Sequence, residues 1–286
     1  MKGFLLAGLA LGEDAQPRRL HQQISGEALI RRLGRCLAAC LILAAGPVVT
    51  AAQADPRQDF LDGRTHDCPR CDLGGMNFKR RDLSGADLTG ADLRQANFHD
   101  ARLAGARLTG ADLTGANLNK ADLSRAELGG ATLRGAMLYA ANLDGARLAG
   151  ADLTDARMGV ARLSRGDLTK ATLRNVDLRK ARLAEAIITG ANLDRAALDL
   201  VFMHGAQLGG AFLRGARLTG AEAVDATLSG AHLSEADASG ANFRGADLSH
   251  ALLAGTNFRH ANLYESRLDD AVFRNTVMPD GTVRDP

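Results

Sequence analysis

Ala86-Asp87-Leu88-Thr89-Gly90 and Ala111-Asp112-Leu113-Thr114-Gly115 are two copies of the five-residue unit that decides the fold. The unit reads Ala-(Asp/Asn)-Leu-x-x, and its first slots fall at every fifth residue from Cys71 to Thr276, forty-two in all, without an insertion or deletion. Alanine fills 33 first slots and leucine fills 31 central slots, so the apolar pattern is nearly invariant. A period of five suits neither common element. On an α-helix, residues five apart are rotated by about 140° and the leucines would spiral around every side. On a flat strand an odd period sends successive leucines to alternate faces. Both arrangements leave much of the apolar set in water.

The pattern is satisfied when each five-residue unit is one short side of a closed coil, with alanine and leucine turned inward. Coils then stack by backbone hydrogen bonding and the leucines form internal ladders. Alanine suits a crowded inner corner, and glycine in the fifth slot (Gly85, Gly90, Gly110, Gly115) eases the turn between sides. Residues 71–278 thereby resemble the pentapeptide-repeat proteins. The resemblance implies an all-β, right-handed quadrilateral β-helix with four units per coil. Forty-two units make about ten coils, and at a strand spacing of roughly 4.8 Å the rod is about 50 Å long. Two spacings agree with such a coil. Phe78 and Phe98 occupy the same slot four units apart, and Arg94, Arg134, Arg174 and Arg214 share another slot at intervals of eight units.

Composition supports a solenoid. The 286 residues include no tryptophan and two tyrosines, and a stacked coil buries leucine and phenylalanine without needing larger rings. Charge bears on function. Residues 1–54 hold six basic and three acidic side chains, whereas residues 55–286 hold 29 and 30, a nearly neutral rod. Some members of the family mimic B-form DNA and protect DNA gyrase from quinolones by occupying its DNA site. Mimicry requires a dense acidic surface, because DNA carries about one charge per 1.7 Å of axis. Here the second slots mix Asp72, Asp92, Asp112 and Asp152 with Arg102, Arg107, Arg147, Arg157, Arg162 and Arg182. Residues 155–185 hold eight basic against four acidic side chains. A cytoplasmic regulator of gyrase or another topoisomerase is therefore the less favoured function. The basic stretch lacks the aromatic residues of a single-strand binder, so no nucleic acid is expected. Its arginines are expected to pair with aspartates on neighbouring coils.

Four segments precede, form and follow the rod: a leader at 1–54, a pre-repeat segment at 55–70, the repeats at 71–278, and a turn and tail at 279–286. Residues 31–54 read as a signal peptide. Arg31, Arg32 and Arg35 form a basic region, Cys36–Val49 is almost wholly apolar, and Ala52-Gln53-Ala54 is an A-x-A cleavage site. The apolar run is short for a membrane span, so none is expected in the mature chain. About thirty residues stand before this segment, consistent either with a long n-region or with a start nearer Leu29 or Ile30. Export to the periplasm or beyond the cell, with cleavage near Ala54, is the expected localisation.

Cys68-Pro69-Arg70-Cys71 lies where the repeats begin. Given export, one disulfide closing a small loop at the open end of the helix is the simplest reading, and such a pair resembles the start of other pentapeptide-repeat proteins. A redox dithiol would sit near a βαβ pattern, and zinc would need two more ligands, with His66 the one histidine nearby. No catalytic constellation, cofactor motif or metal set emerges, and an enzyme is not expected. The aspartates, serines, threonines and glycines all follow the repeat, and His232, His250 and His260 occupy different slots.

The departures from the repeat carry more information. Ala223 and Ala238 replace the central leucine, which narrows the core or leaves gaps. Leu200, Val201, Phe202 and Phe212 put apolar groups where polar ones are usual, with Ile187 a coil earlier. Leu200, Phe202 and Phe212 are the expected interface with a protein partner. After Met278, Pro279-Asp280-Gly281-Thr282 reads as a tight turn with no capping helix beyond it. An uncapped last coil would favour a homodimer through the solenoid end. The reading overall is a non-enzymatic, exported solenoid that offers a rigid binding or scaffold surface.

Overall fold

A computed structural model describes residues 55–285, so the expected signal segment lies outside the described residues. From Asp72 onward each second-slot residue makes one parallel β-bridge to the second slot four units later. The bridges run without a break from Asp72↔Asp92 to Asn257↔Val277. The coil therefore closes after four units, as the resemblance implied. Four ladders result, one per side, beginning at Asp72, Asn77, Asp82 and Asp87. Residues two units apart stand on opposite sides of the rod.

The unit 111–115 shows why five residues suffice for one side. Its five backbone N–H groups all find acceptors: Ala111 on Leu108 O at 3.0 Å, Asp112 on Ala91 O at 3.0 Å, Leu113 on Thr132 O at 2.7 Å, Thr114 on Asp112 Oδ1 at 2.9 Å, and Gly115 on Arg134 O at 2.9 Å. One of these bonds closes the corner turn, three join neighbouring coils, and one comes from the second-slot side chain. That accounting leaves no donor of the unit orphaned. The alanine and leucine ladders are buried along nearly the whole rod.

Every fifth slot from Arg70 to Asn275 has positive φ, and 23 of these corners are not glycine. With the preceding residue at negative φ this is a type II turn, whose third residue is left-handed. The sequence shows this constraint only where glycine marks it. Val160, at φ 51°, is the sole β-branched residue forced into that region among the described residues.

Both ends differ from expectation. The stacked core starts one unit before Cys71, because Cys68 occupies a buried central slot and its N–H bonds Asp87 O at 2.8 Å. The pre-repeat segment also contains a helix, α1, at Pro56–Leu61, with Asp55 as N-cap. Its Phe60 is fully buried, meets Phe78 edge-on at 5.7 Å, and extends the stacked pair Phe78–Phe98 at 5.0 Å. Arg81 stands in a first slot where alanine is usual. It lies over the Phe60 ring at 4.8 Å and donates to Phe60 O. The first coil has no predecessor to crowd its inner corners, so the larger side chain fits and clamps the cap.

At the other end the tail is not a simple turn. Thr276–Val277 (β1) pairs antiparallel with Val283–Arg284 (β2), and Arg284 covers the Phe273 ring at 3.7 Å. This hairpin caps part of the last coil, while Leu263 and Leu268 stay partly buried. The expected gaps at Ala223 and Ala238 meet a compensation. One coil later the same columns hold Phe243 and Phe258, both fully buried and edge-on at 5.8 Å. Ring volume takes up what alanine gives away.

Val160→Gly removes a β-branched left-handed corner and is expected to raise stability by about 1 kcal/mol. Gly110→Val places the same side chain at another corner where no neighbour stands within 4 Å of the new β-carbon. It is expected to lower stability by about 1–2 kcal/mol. Urea unfolding of both variants checks the sign.

Candidate functional site

The regular surface consists of second- and fourth-slot side chains, and most of it serves the coil. Second-slot Asp or Asn accepts the fourth-slot N–H, as in Asp87 to Thr89 at 3.0 Å and Asn117 to Asn119 at 3.2 Å. At three sides where the second slot lacks that acceptor, the preceding coil supplies it. The N–H groups of Tyr139, Ser164 and Arg214 bond Asn119, Asp144 and Asp194, each one coil earlier. The aspartates are thus structural acceptors, as the repeat demands.

These bonds depress carboxyl pKa values. Asp87 lies below the ordinary 3.8 because the Thr89 hydroxyl and N–H favour its charged form, against desolvation and with help from Arg107. Asp82 and Asp247 are lowered in the same way, by Ser84 and Ser249. At Asp152 burial pushes upward, but Thr154 and Arg134 together outweigh it.

Inter-coil ion pairs form as expected for part of the arginine set. Arg107 meets Asp87 at 3.5 Å, Arg102 meets Asp82 at 3.6 Å, Arg147 meets Glu127 at 3.4 Å and Arg162 pairs with Asp144. Within 155–185, Arg162 and Arg179 pair, the latter with Asp177 at 2.6 Å. Exposed pairs of this kind contribute up to about 1 kcal/mol each. The basic stretch therefore does not reduce wholly to paired charge.

The expected interface residues do not form one patch. Leu200 and Phe202 are neighbours at one corner, 48% and 52% exposed. Phe212, at 41%, is half a coil away and so on the opposite side. It rests edge-on against His232 of the next coil at 4.8 Å. Val201, between Leu200 and Phe202, points inward and is fully buried. Sequence reasoning missed Tyr139, which is 55% exposed on a fourth slot.

The sulfurs of Cys68 and Cys71 lie within bonding distance, with Cα atoms 5.4 Å apart. Cys68 is buried beside α1, its Sγ 3.5 Å from Pro56 O, so the pair and the helix form one cap. Among the described residues no cluster of three His, Cys, Asp or Glu side chains is arranged to hold a metal. Among them, too, no helix is long and apolar enough to cross a membrane.

The family model for pentapeptide repeats matches between residues 70 and 278. With the four-unit bridging above, the chain belongs to the pentapeptide-repeat proteins, a family of quadrilateral β-helices. Among solved structures, HetL of the cyanobacterium Nostoc sp. strain PCC 7120, a pentapeptide repeat protein involved in heterocyst differentiation regulation, is 32% identical. That match covers 80% of this chain and 97% of HetL, with a TM-score of 0.38. QnrB1, a plasmid-mediated fluoroquinolone resistance protein, is 19% identical over 65% of this chain and 85% of its own, with a TM-score of 0.42. A pentapeptide repeat protein of the Arabidopsis thaliana thylakoid lumen is 32% identical over 41% of this chain and 72% of its own, with a TM-score of 0.22. Among curated proteins nothing matches the chain.

Acid should loosen the rod in a defined window. Carboxyls whose folded pKa lies below 3.8 contribute stability above pH 3.8, and that contribution drains as pH falls through the folded values. Replacing Asp82, Asp87 and Asp247 by Asn keeps an acceptor Oδ1 and removes the titration. The triple variant should lose less stability than the parent between pH 5 and pH 3 in urea unfolding. An unchanged pH slope would show that these carboxyls do not control it.

Proposed function

We propose that the chain is an exported, non-enzymatic pentapeptide-repeat rod, right-handed and about ten coils long, that offers a rigid binding surface to another protein. The observation that carries this reading is the exposed pair Leu200 and Phe202. Many second-slot side chains of the surface accept a backbone N–H or pair across coils, whereas these two side chains face water and satisfy no backbone group. Apolar surface held outward on a stiff scaffold is the usual chemistry of protein recognition.

Export is supported by the leader at 31–54 and by the cysteine pair. In an oxidising compartment Cys68 and Cys71 form a disulfide that ties the first unit to its cap. Its contribution is local, because so small a loop removes little chain entropy. The competing reading, a DNA-mimicking regulator of gyrase, meets 29 basic against 30 acidic side chains over residues 55–286. A mimic of duplex DNA needs a dominant negative field.

Amino-terminal sequencing of the mature protein is expected to begin near Asp55, and the rod is expected to leave gyrase supercoiling unchanged with or without quinolone. An intact leader, or relief of quinolone inhibition, would favour the cytoplasmic reading. A pull-down from periplasmic extract, repeated with Leu200→Ser and Phe202→Ser, should lose its partner in the variant.

A further inference from the structure

Twenty of the 23 corner residues that hold positive φ without being glycine are polar or charged; the other three are Ala140, Val160 and Leu200. These three fall in one column. Val160 stands one coil after Ala140 and Leu200 two coils after Val160, so they stack along a single edge of the rod, with Lys180 filling the intervening coil. A left-handed corner is unfavourable for any residue with a β-carbon and most so for valine. Glycine occupies 19 comparable corners, so the fold itself does not require an apolar side chain here. Burial does not offset the strain at Leu200, which remains about half exposed. Strain held without a structural return concentrates where a surface has to be presented.

The neighbours of this column pack along it. Tyr139 projects beside Ala140 and lies over Gly159, where an added β-carbon would stand 3.5 Å from the ring. Gly159 is not among the positive-φ residues, so its backbone does not demand glycine, and an added β-carbon would sit in ordinary contact with the tyrosine ring. Leu200 leans in the same way onto Gly220, where a β-carbon would meet Leu200 Cδ2 at 2.9 Å. An open groove of about 350 Å³ is lined by Tyr139, Gly159, Val160 and Lys180 together with the paired Asp177 and Arg179. Phe202 continues the edge just past Leu200.

The unpaired charge beside the edge is mostly positive, although Glu222, one coil past Phe202 on the same ladder, also has no ion pair among the described residues. Arg157, Lys180 and Arg182 make no ion pair within 4.0 Å among the described residues, while Arg162 and Arg179 in the same stretch are tied to Asp144 and Asp177. Arg182 precedes Phe202 on one ladder, and Arg157 lies on the side that carries Tyr139. A ligand seated on the apolar edge would meet free cations on both flanks.

We propose that this edge, from Tyr139 through Val160 and Leu200 to Phe202, is a docking strip for an extended, acidic segment of a partner protein whose apolar side chains alternate with carboxylates. The proposal rests on the protein-binding reading above and names the partner's chemistry. From Ala140 to Leu200 the strip spans three coil steps, roughly 14 Å, the reach of about four or five extended residues. An extended segment lying along the rod puts alternate side chains on the corner and turns the others outward, where the long side chains of Arg157, Lys180 and Arg182 can reach up to meet them.

Fluorescence anisotropy with two labelled peptides of about ten residues tests it, one alternating Asp and Glu with Leu and Phe, the other carrying Lys at every acidic position. The acidic peptide should bind about tenfold or more tightly than its basic counterpart. Phe202→Ser, and separately the pair Lys180→Glu and Arg182→Glu, should each weaken it by a similar factor. Phe212→Ser on the opposite side should leave it unchanged. Leu200→Gly should bind more weakly and yet unfold at higher urea, since it relieves the corner while removing the contact. Equal binding of both peptides, binding that survives those substitutions, or binding of phosphatidylglycerol vesicles in place of peptide would overturn the proposal. So would a Leu200→Gly variant that unfolds at lower urea, because Leu200 would then be a structural brace. If the peptides fail while Leu200→Ser and Phe202→Ser still abolish capture from extract, the protein-binding reading stands and only the acidic-segment assignment falls.

Discussion

Satisfaction of backbone N–H groups within a five-residue unit governs the rest of this structure. A side this short has no room for a conventional strand ladder, so a unit such as 111–115 distributes its five donors among a corner turn, two neighbouring coils and its own second-slot side chain. An orphaned donor would cost about 1–3 kcal/mol if buried, and the rod would repeat that loss at every side. The Ala-(Asp/Asn)-Leu-x-x pattern follows from this requirement. Alanine is the largest side chain that suits most inner corners, the carboxylate or amide caps the fourth N–H, and the leucine stacks on its counterparts in the coils above and below.

The same constraint explains where the pattern relaxes. Six of the nine first-slot exceptions lie toward the ends, Cys71, Met76 and Arg81 in the first coil and Thr256, Ser266 and Thr276 toward the last, with Gly166, Val176 and Val201 between them. At the amino end Arg81 reaches over Phe60, and the helix cap takes the place of a missing coil. At the carboxyl end the buried hydroxyls of Thr256 and Thr276 donate to Leu233 O and Leu253 O at 2.8 and 2.7 Å. Central-slot exceptions are matched within a column, with Phe243 below Ala223 and Phe258 below Ala238. Repeat order is thus kept by local exchange of volume rather than by strict identity.

Much of the fold was legible from the period alone, because only a closed coil buries leucines spaced five apart. The caps were not legible. Phe60 and Arg284 act through rings and cations brought together by chain reversal, and a short helix such as Pro56–Leu61 leaves too few turns for an apolar period to register. The left-handed corners were visible only at glycine, since arginine, lysine or aspartate in a fifth slot carries no mark of its φ. Of the interface, exposure of Leu200, Phe202 and Phe212 could be read from their slots. Their separation onto opposite sides required the four-unit coil to be applied to each residue in turn. Tyr139 escaped notice because a fourth slot admits many side chains, and only its glycine partner, Gly159, sets it apart.

A surface so largely committed to coil closure leaves one edge between Tyr139 and Phe202 with strain, apolar exposure and free cations together. That edge has meaning only if every coil closes after four units, which sets its column. Spin labels introduced through an unnatural amino acid at Asp82 and Asn242, on one ladder eight coils apart, measure this directly. At roughly 4.8 Å per coil they should give one narrow distance distribution near about 38 Å. A broad distribution, or a separation of about 50 Å as three units per coil would produce at the same spacing, would contradict the four-sided stack.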